Sequence, residues 1–193
     1  RLLADTLAGG PFVLGYQFLF EGSEKGSTAC ELRPLSLLHN QKSSTPAPPL
    51  IFHKASGVIC NNTMLSEAAS LSGFFNGAPD PDGIMRRLPL LIEYQDTLYA
   101  SFALTIFLQH QGKQSYILRA NNGHIPNLSS TSLHVPIDNQ GNFLLGPARP
   151  ERAGHISAAH ILEKSIPPEK FKDKVVLVGL TAAGLTQVYQ TPF

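Results

Sequence analysis

Apolar residues come in short runs separated by turn-forming residues, and the spacing within each run predicts its element. Ala4–Phe20 predicts the end of a helix, a Gly-Gly-Pro break and a strand from Phe12 to Phe20. A helix that runs into a strand is typical of one half of a βαβ unit. Residues 21–50 are polar and rich in Ser, Thr and Pro, which predicts a long loop with one short helix around Cys30–Leu38.

The next part of the chain predicts a helix and then a long strand. Asn62 or Thr63 is expected to cap a short helix that runs through Leu71 and stops at Gly73. After Gly83 the pattern changes to period two. The residues expected to share one strand face are Ile84, Leu88, Leu90, Ile92 and Tyr94.

The second half alternates between helices and strands. Ser101–His110 is apolar on most sides, which predicts a helix central to the core. A strand is expected at Ser115–Ala120, and a hairpin of two short strands is expected around Asp138–Gly141. Ser157 is expected to cap a further helix. Val175–Leu180 is uniformly apolar, as in a parallel sheet covered on both sides.

These elements predict an α/β fold, a single domain with a mixed, partly parallel sheet flanked by helices. A length of 193 residues favours one large domain over two. Charged residues make up 15% of the chain, against about 25% in an average protein. The 16 glycines and 15 prolines fit a domain with many turns.

Charge and hydropathy exclude several classes of function. The net charge of +1 and the lack of basic clusters argue against nucleic-acid binding. The longest apolar candidate, Ser101–Gln109, is half of the roughly 18 residues that a membrane span needs. No signal peptide is recognisable, and Arg1 is not a natural start, so we expect an excised piece of a longer protein.

The spacing of the cysteines and of the turn acids predicts no metal site. Cys30 and Cys60 are the only cysteines, in neither a CxxC nor a zinc-ligand pattern. They are equally compatible with a disulfide and with two separate thiols. Asp80-Pro-Asp82-Gly83 resembles part of a calcium loop but lacks its third acid and its glutamate. We therefore expect no metal and no cofactor.

The loop after Val175–Leu180, between Thr181 and Gly184, occupies a position where α/β folds bind anions through backbone N–H groups. It matches neither a dinucleotide fingerprint nor a P-loop. A tight turn out of the sheet is the favoured interpretation, and anion binding by Thr181 and Gly184 is the alternative. No nucleophile with a partner base is recognisable, so no enzyme is predicted.

Arg86 and Arg87 are adjacent, so on a strand they point to opposite faces. Arg86 falls on the more apolar face, where a guanidinium must be paired. Asp80 and Asp82 are the nearest carboxylates in sequence. The favoured hypothesis is a structural latch in which Arg86 pairs with these acids. The alternative is that Arg86 or Arg87 binds a ligand carboxylate or phosphate, with Arg87 the better placed of the two.

Five blocks in order resemble the CHASE2 sensor domain. They are GFFNGAPDPDGIMRRLPLL, LYASFAL, VPIDNQGNFLL, HISAAHIL and KDKVVLVGLTAAGLTQVYQTPF. Ala4–Phe20 is similar to the middle of that family, where a helix and strand precede a variable loop, here residues 21–50. The resemblance covers nearly all of residues 1–193. It implies that the family's N-terminal strand and helix lie before Arg1.

The resemblance implies a non-enzymatic, extracytoplasmic sensory module of a bacterial receptor with undefined ligands. It also implies that transmembrane helices and a nucleotide cyclase, histidine kinase or Ser/Thr kinase follow the domain. Two departures matter: Gly146-Pro147-Ala148 replaces a frequent aromatic and glycine, and Gln187 lies near a frequent acid. The partner would be a small molecule or peptide, with a homodimer as the expected assembly. Two rival hypotheses are a dimerisation module without a ligand and an α/β hydrolase or phosphate-handling enzyme.

Overall fold

The computed structural model describes residues 1–20, 30–34, 37–39, 50–112, 116–119, 126–129, 134–146, 154–180 and 190–192. The helices are α1 (Leu2–Ala8), α2 (Thr63–Ala68), α3 (Phe102–His110) and α4 (Ala158–Leu162), followed by a 3-10 turn at Pro168–Phe171. The strands are β1 (Val13–Leu19), β2 (Leu37–His39), β3 (His53–Lys54), β4 (Gly57–Ile59), β5 (Leu71–Phe74), β6 (Arg87–Pro89), β7 (Leu91–Tyr94), β8 (Thr97–Ala100), β9 (Tyr116–Arg119), β10 (Asn127–Ser129), β11 (His134–Pro136) and β12 (Asn142–Leu144).

Within these ranges the strands form four small sheets with both parallel and antiparallel pairs. In the first sheet β1 is antiparallel to β4 and parallel to β5. In the second, β7 is parallel to β3 and antiparallel to β8. The third has the order β11-β10-β9-β2, and β12 pairs with β6 in the fourth. The predicted α/β class with a mixed, partly parallel sheet is confirmed.

An aromatic layer lies between the first two sheets. Its centre is Phe18 of β1, which is only 1% exposed. The rings whose centroids lie 5.3 to 5.7 Å from that of Phe18 belong to Tyr16, Phe74, Tyr94 and Tyr99. Edge and tilted packing of this kind adds to the stabilisation by burial alone. Burial, with Tyr99 close by, raises the pKa of the Tyr16 phenol.

Helix α3 buries one face instead of running through the middle of the core. The Ser101 hydroxyl caps it by accepting a hydrogen bond from the backbone N–H of Leu104 at 3.2 Å. Leu104 and Leu108 are buried, whereas Phe107 is 39% exposed. The prediction of the helix is confirmed, and the prediction of a central position is wrong, because among the described residues only one side of the helix has elements packed on it.

The single long strand predicted after Gly83 is wrong. The chain forms β6 and β7 instead, and the three consecutive residues Leu90–Ile92 are all buried, which breaks the alternation. At the break, the N–H of Leu90 donates to the carbonyl of Gly141, and its carbonyl accepts from Ser101. Leu90 therefore connects the two pairings, since Gly141 directly precedes β12, the partner of β6, and Ser101 directly follows β8, the partner of β7.

Two predicted helices end or fold differently. Helix α2 begins at the Asn62 cap, as predicted, but it ends at Ala68 and not at Leu71. Leu71–Phe74 joins the sheet as β5, because parallel pairing with β1 buries Phe74 completely. In the region around Cys30–Leu38, the described residues form no helix, and Leu37–His39 is a strand parallel to β9.

The predicted hairpin has the right turn and the wrong pairing. Asp138–Gly141 turns the chain, with the Gly141 N–H donating to the Asp138 carbonyl. The strands on either side separate, however: β11 pairs with β10, and β12 pairs with β6. Partners from elsewhere in the chain have replaced the local pairing.

The buried strand predicted at Val175–Leu180 is also wrong. This segment has no strand structure, and Val178 is 97% exposed. No strand of the described ranges pairs with it, and an unpaired strand is not stable alone. Helix α4 before it begins after Ser157, as predicted. No described helix has the length and apolar character needed to cross a membrane.

Candidate functional site at the Asp80–Arg87 turn

Three anchors lead the chain from β5 into the turn. A Cβ on Gly73 would lie 2.6 Å from the Cα of Phe102, so only glycine fits there. Phe74 is fully buried in the aromatic layer. The Asn76 amide then accepts from the N–H of Phe18 at 2.7 Å and donates to its carbonyl at 2.8 Å. Asn76 thus bonds to β1 as a strand residue would, which fixes where the turn starts.

The turn Asp80–Gly83 is closed by its own hydrogen bonds. The N–H of Gly83 donates to the Asp80 carbonyl at 2.8 Å, and Gly83 has a φ of +83°, which favours glycine. The N–H of Asp80 donates to the Ile84 carbonyl at 3.0 Å. The Asp82 Oδ1 accepts from the N–H of Ile84 at 3.1 Å. Ile84 therefore leaves the turn with both backbone groups bonded.

Arg86 is paired with both acids of the turn. Its Nη1 donates to Asp80 Oδ2 at 3.0 Å and to Asp82 Oδ1 at 2.9 Å. Its Nη2 donates to Asp82 Oδ2 at 2.7 Å, so the contact with Asp82 is bidentate. Hydrogen bonds from Arg86, and then the N–H of Ile84, lower the pKa of Asp82 to about 2. The ion pair expected from the sequence is present and is charged throughout the neutral range.

Arg87 has a different environment from its neighbour. It begins β6, lies opposite Leu144 of β12, and is exposed. Among the described residues its guanidinium has no hydrogen-bond or ion-pair partner. The turn has therefore engaged one arginine and left the next one facing outward.

The turn also holds a residue from far along the chain. The N–H of Met85 donates to the carbonyl of Gln190 at 2.7 Å, and Ile84 forms a parallel bridge with the same residue. On the other side, the carbonyl of Arg86 accepts from the N–H of Leu145 at 2.8 Å. Thr181 and Gly184, predicted as anion ligands, lie outside the described residues.

Sequence reasoning missed two residues of this site, Asn76 and Gln190. A single Asn before a Gly gives a turn signal but does not say that its amide will bond to a strand 58 residues away. Gln190 takes part through its backbone, which carries no residue-specific signal. Both contacts depend on the fold and not on local sequence.

Cys30 and Cys60 form a disulfide, which settles the alternative that the sequence left open. Cys60 directly follows β4, and both cysteines pack against the aromatic layer. The bond therefore fixes part of the 21–50 region to the first sheet. Disulfides persist in oxidising compartments such as the periplasm and the cell exterior.

Metal ligands are not grouped in the described ranges. No three or more His, Cys, Asp or Glu side chains there are placed to hold one ion. The two turn acids, Asp80 and Asp82, are instead bonded to Arg86. The arrangement suits a rigid polar connection between elements.

Comparison with known protein families gives a match over the whole chain. The family model of the CHASE2 domain matches residues 1–193. No curated protein and no solved structure matches the chain. CHASE2 domains are extracellular sensory domains of signalling receptors and are not themselves catalytic. The chain therefore belongs to the CHASE2 family of sensor domains.

Proposed function

We propose that this chain is the extracytoplasmic sensory module of a bacterial transmembrane signalling protein. The module senses a small molecule or peptide and relays the signal across the membrane to a cytoplasmic nucleotide cyclase, histidine kinase or Ser/Thr kinase. The observation that carries the proposal is the CHASE2 match over residues 1–193. The Cys30–Cys60 disulfide supports it, because such bonds fit an extracytoplasmic location.

Arg87 is our candidate for contact with the signal. It is exposed on β6 beside a fixed turn, and a guanidinium suits a carboxylate or phosphate. Arg86 is the weaker candidate, since both turn acids already occupy its guanidinium. Thr181 and Gly184 complete the proposed ligand set as backbone N–H donors.

The first test uses the parent receptor and a variant lacking residues 1–193. We expect the intact receptor to change its cytoplasmic output when growth conditions or added metabolites change, and the deleted variant to lose this response. A deleted variant that responds as well as the intact receptor would overturn the proposal. A change in basal output alone would favour a dimerisation module without a ligand.

The second test measures binding to the isolated 193-residue domain. A ligand that binds only the folded state raises the melting temperature by mass action. We expect at least one anionic metabolite or peptide to do so, and Arg87→Gln to abolish the rise without lowering the melting temperature of the free domain. If every anionic compound leaves the melting temperature unchanged, Arg87 has no role as an anion ligand.

A further inference from the structure

Gln190 and the Asp80–Arg86 turn are joined by backbone contacts. The contacts are the bond from the N–H of Met85 to the Gln190 carbonyl, at 2.7 Å, and the bridge to Ile84. One backbone bond contributes little net stability by itself. Whether Gln190 stays docked therefore depends on how well Ile84 and Met85 are held in position beforehand.

The turn holds both of them from two sides. Before them, the Asp82 carboxylate accepts a hydrogen bond from the N–H of Ile84. Both oxygens of this carboxylate also accept from the Arg86 guanidinium. After them, the Arg86 carbonyl accepts from the N–H of Leu145, which directly follows β12. The Met85 side chain is buried and packs beside Gly77. The N–H of Met85 is thus held towards Gln190 from both sides, and on the side before it the Arg86–Asp82 ion pair fixes the carboxylate that binds Ile84.

We propose that the Asp80–Arg86 turn is a clamp for the backbone at Gln190. Pairing of Arg86 with Asp82 keeps Ile84 and Met85 in the conformation that binds Gln190, and opening of the pair releases it. Because coupling between two sites is reciprocal, docking of Gln190 also stabilises the ion pair. The clamp is a property of the domain itself, and its use in signalling rests on the proposed function.

Amide hydrogen exchange in the 193-residue chain tests the clamp at one atom, the N–H of Met85. We expect Arg86→Gln to speed exchange there about tenfold, because the opened turn no longer holds Gln190. Arg87→Gln, the same charge change one residue along, is the matched control and should leave Met85 unchanged. The N–H of Phe75, bonded to Tyr16 in the first sheet, reports global opening.

Removal of residues 190–193 tests the coupling. It should speed exchange at Met85 as Arg86→Gln does, and the two changes together should add little more. Asp82→Asn is the second way to break the pair if Arg86→Gln does not fold. The proposal is overturned if Met85 is unaffected, if Phe75 accelerates equally, or if Arg87→Gln has the same effect.

Amide hydrogen exchange tests the clamp, and receptor output tests the sensory function, so the two proposals can fail independently. Unchanged exchange at Met85 removes the clamp and leaves the sensory function standing. A receptor whose response survives deletion of residues 1–193 removes the sensory function, while the clamp remains measurable in the isolated domain.

Discussion

Strand β1 and the segment Val175–Leu180 are both apolar runs of similar length, and their surroundings differ completely. β1 has β4 on one side, β5 on the other and the aromatic layer over Phe18. Val175–Leu180 has no strand beside it among the described residues, and each of its large apolar side chains is more than half exposed. An apolar run therefore indicates that burial is favourable, but it does not provide the element that covers it.

The largest expected loss of stability comes from removing the Cys30–Cys60 disulfide, which packs against the aromatic layer around β1. Replacing Cys30 and Cys60 with Ser removes the cross-link, whose 30-residue separation corresponds to about 3 to 4 kcal/mol of unfolding free energy in the chain-entropy description. Urea denaturation followed by fluorescence or circular dichroism measures the loss. Reductant should destabilise the original chain and leave the double variant unchanged. Equal stability of the two chains would contradict the role of the bond.

Glycine-to-alanine substitutions compare how closely the backbone is packed in the first sheet and in residues 154–180. Gly73→Ala places a Cβ 2.6 Å from the backbone of Phe102, and we expect a loss of about 3 kcal/mol. Gly154→Ala, before α4, meets no atom of the described residues within 4 Å, so its effect should stay within about 0.5 kcal/mol. Thermal unfolding of both variants measures the difference. Similar losses would mean that residues 154–180 are packed more closely than their exposure indicates.

Valine-to-alanine substitutions compare the burial of side chains in the first sheet with that in Val175–Leu180. Val58 on β4 is fully buried and Val178 is 97% exposed. We expect Val58→Ala to cost about 2 kcal/mol, from lost apolar burial and the cavity left behind. Val178→Ala should cost less than about 0.5 kcal/mol. Chemical denaturation of the two variants gives both values, and a large loss for Val178→Ala would show that this side chain is covered in solution.

The smallest effect concerns the Arg86 pair and depends on pH. The pKa of Asp82 is lowered from 3.8 to about 2 in the folded chain. A lowered folded-state pKa stabilises the protein above the unfolded pKa, and the stabilisation is lost as the pH falls through the folded value. The destabilisation caused by Arg86→Gln should therefore be constant from about pH 5 to 8 and shrink between about pH 4 and 2.

Thermal unfolding across this pH range measures the change, and Arg87→Gln provides the baseline. Its effect should not follow the titration of Asp82, because Arg87 does not contact that carboxylate in the described structure. If the loss of unfolding free energy in Arg86→Gln stays constant down to pH 2, that loss does not come from the ion pair with Asp82.

Predictions from sequence succeeded where the cause is local. Asn62, with Thr63 as the alternative, and Ser157 were predicted as helix caps, because each of the two side chains that cap a helix accepts from an N–H two residues along. The Arg86 pair was recognisable because its acids lie four and six residues away. The turn at Asp138–Gly141 was likewise predicted from its own residues.

Predictions failed where two distant segments compete for one backbone. Leu71–Phe74 has the composition of a helix end, yet pairing with β1 makes it a strand. Strands β11 and β12 have a hairpin turn between them, yet each pairs with a different strand. In both cases tertiary pairing overrode the local preference.

The sequence by itself determined the α/β class, the helix caps, the turns and the ion pair at Asp82. Only the tertiary structure decided which strands pair, that Cys30 meets Cys60, that Gln190 docks on Met85, and that Val178 is exposed. The physical reason is the range of each interaction. Caps, turns and short-range ion pairs are complete within a few residues, whereas strand pairing, disulfides and burial depend on groups that only the folded chain brings together.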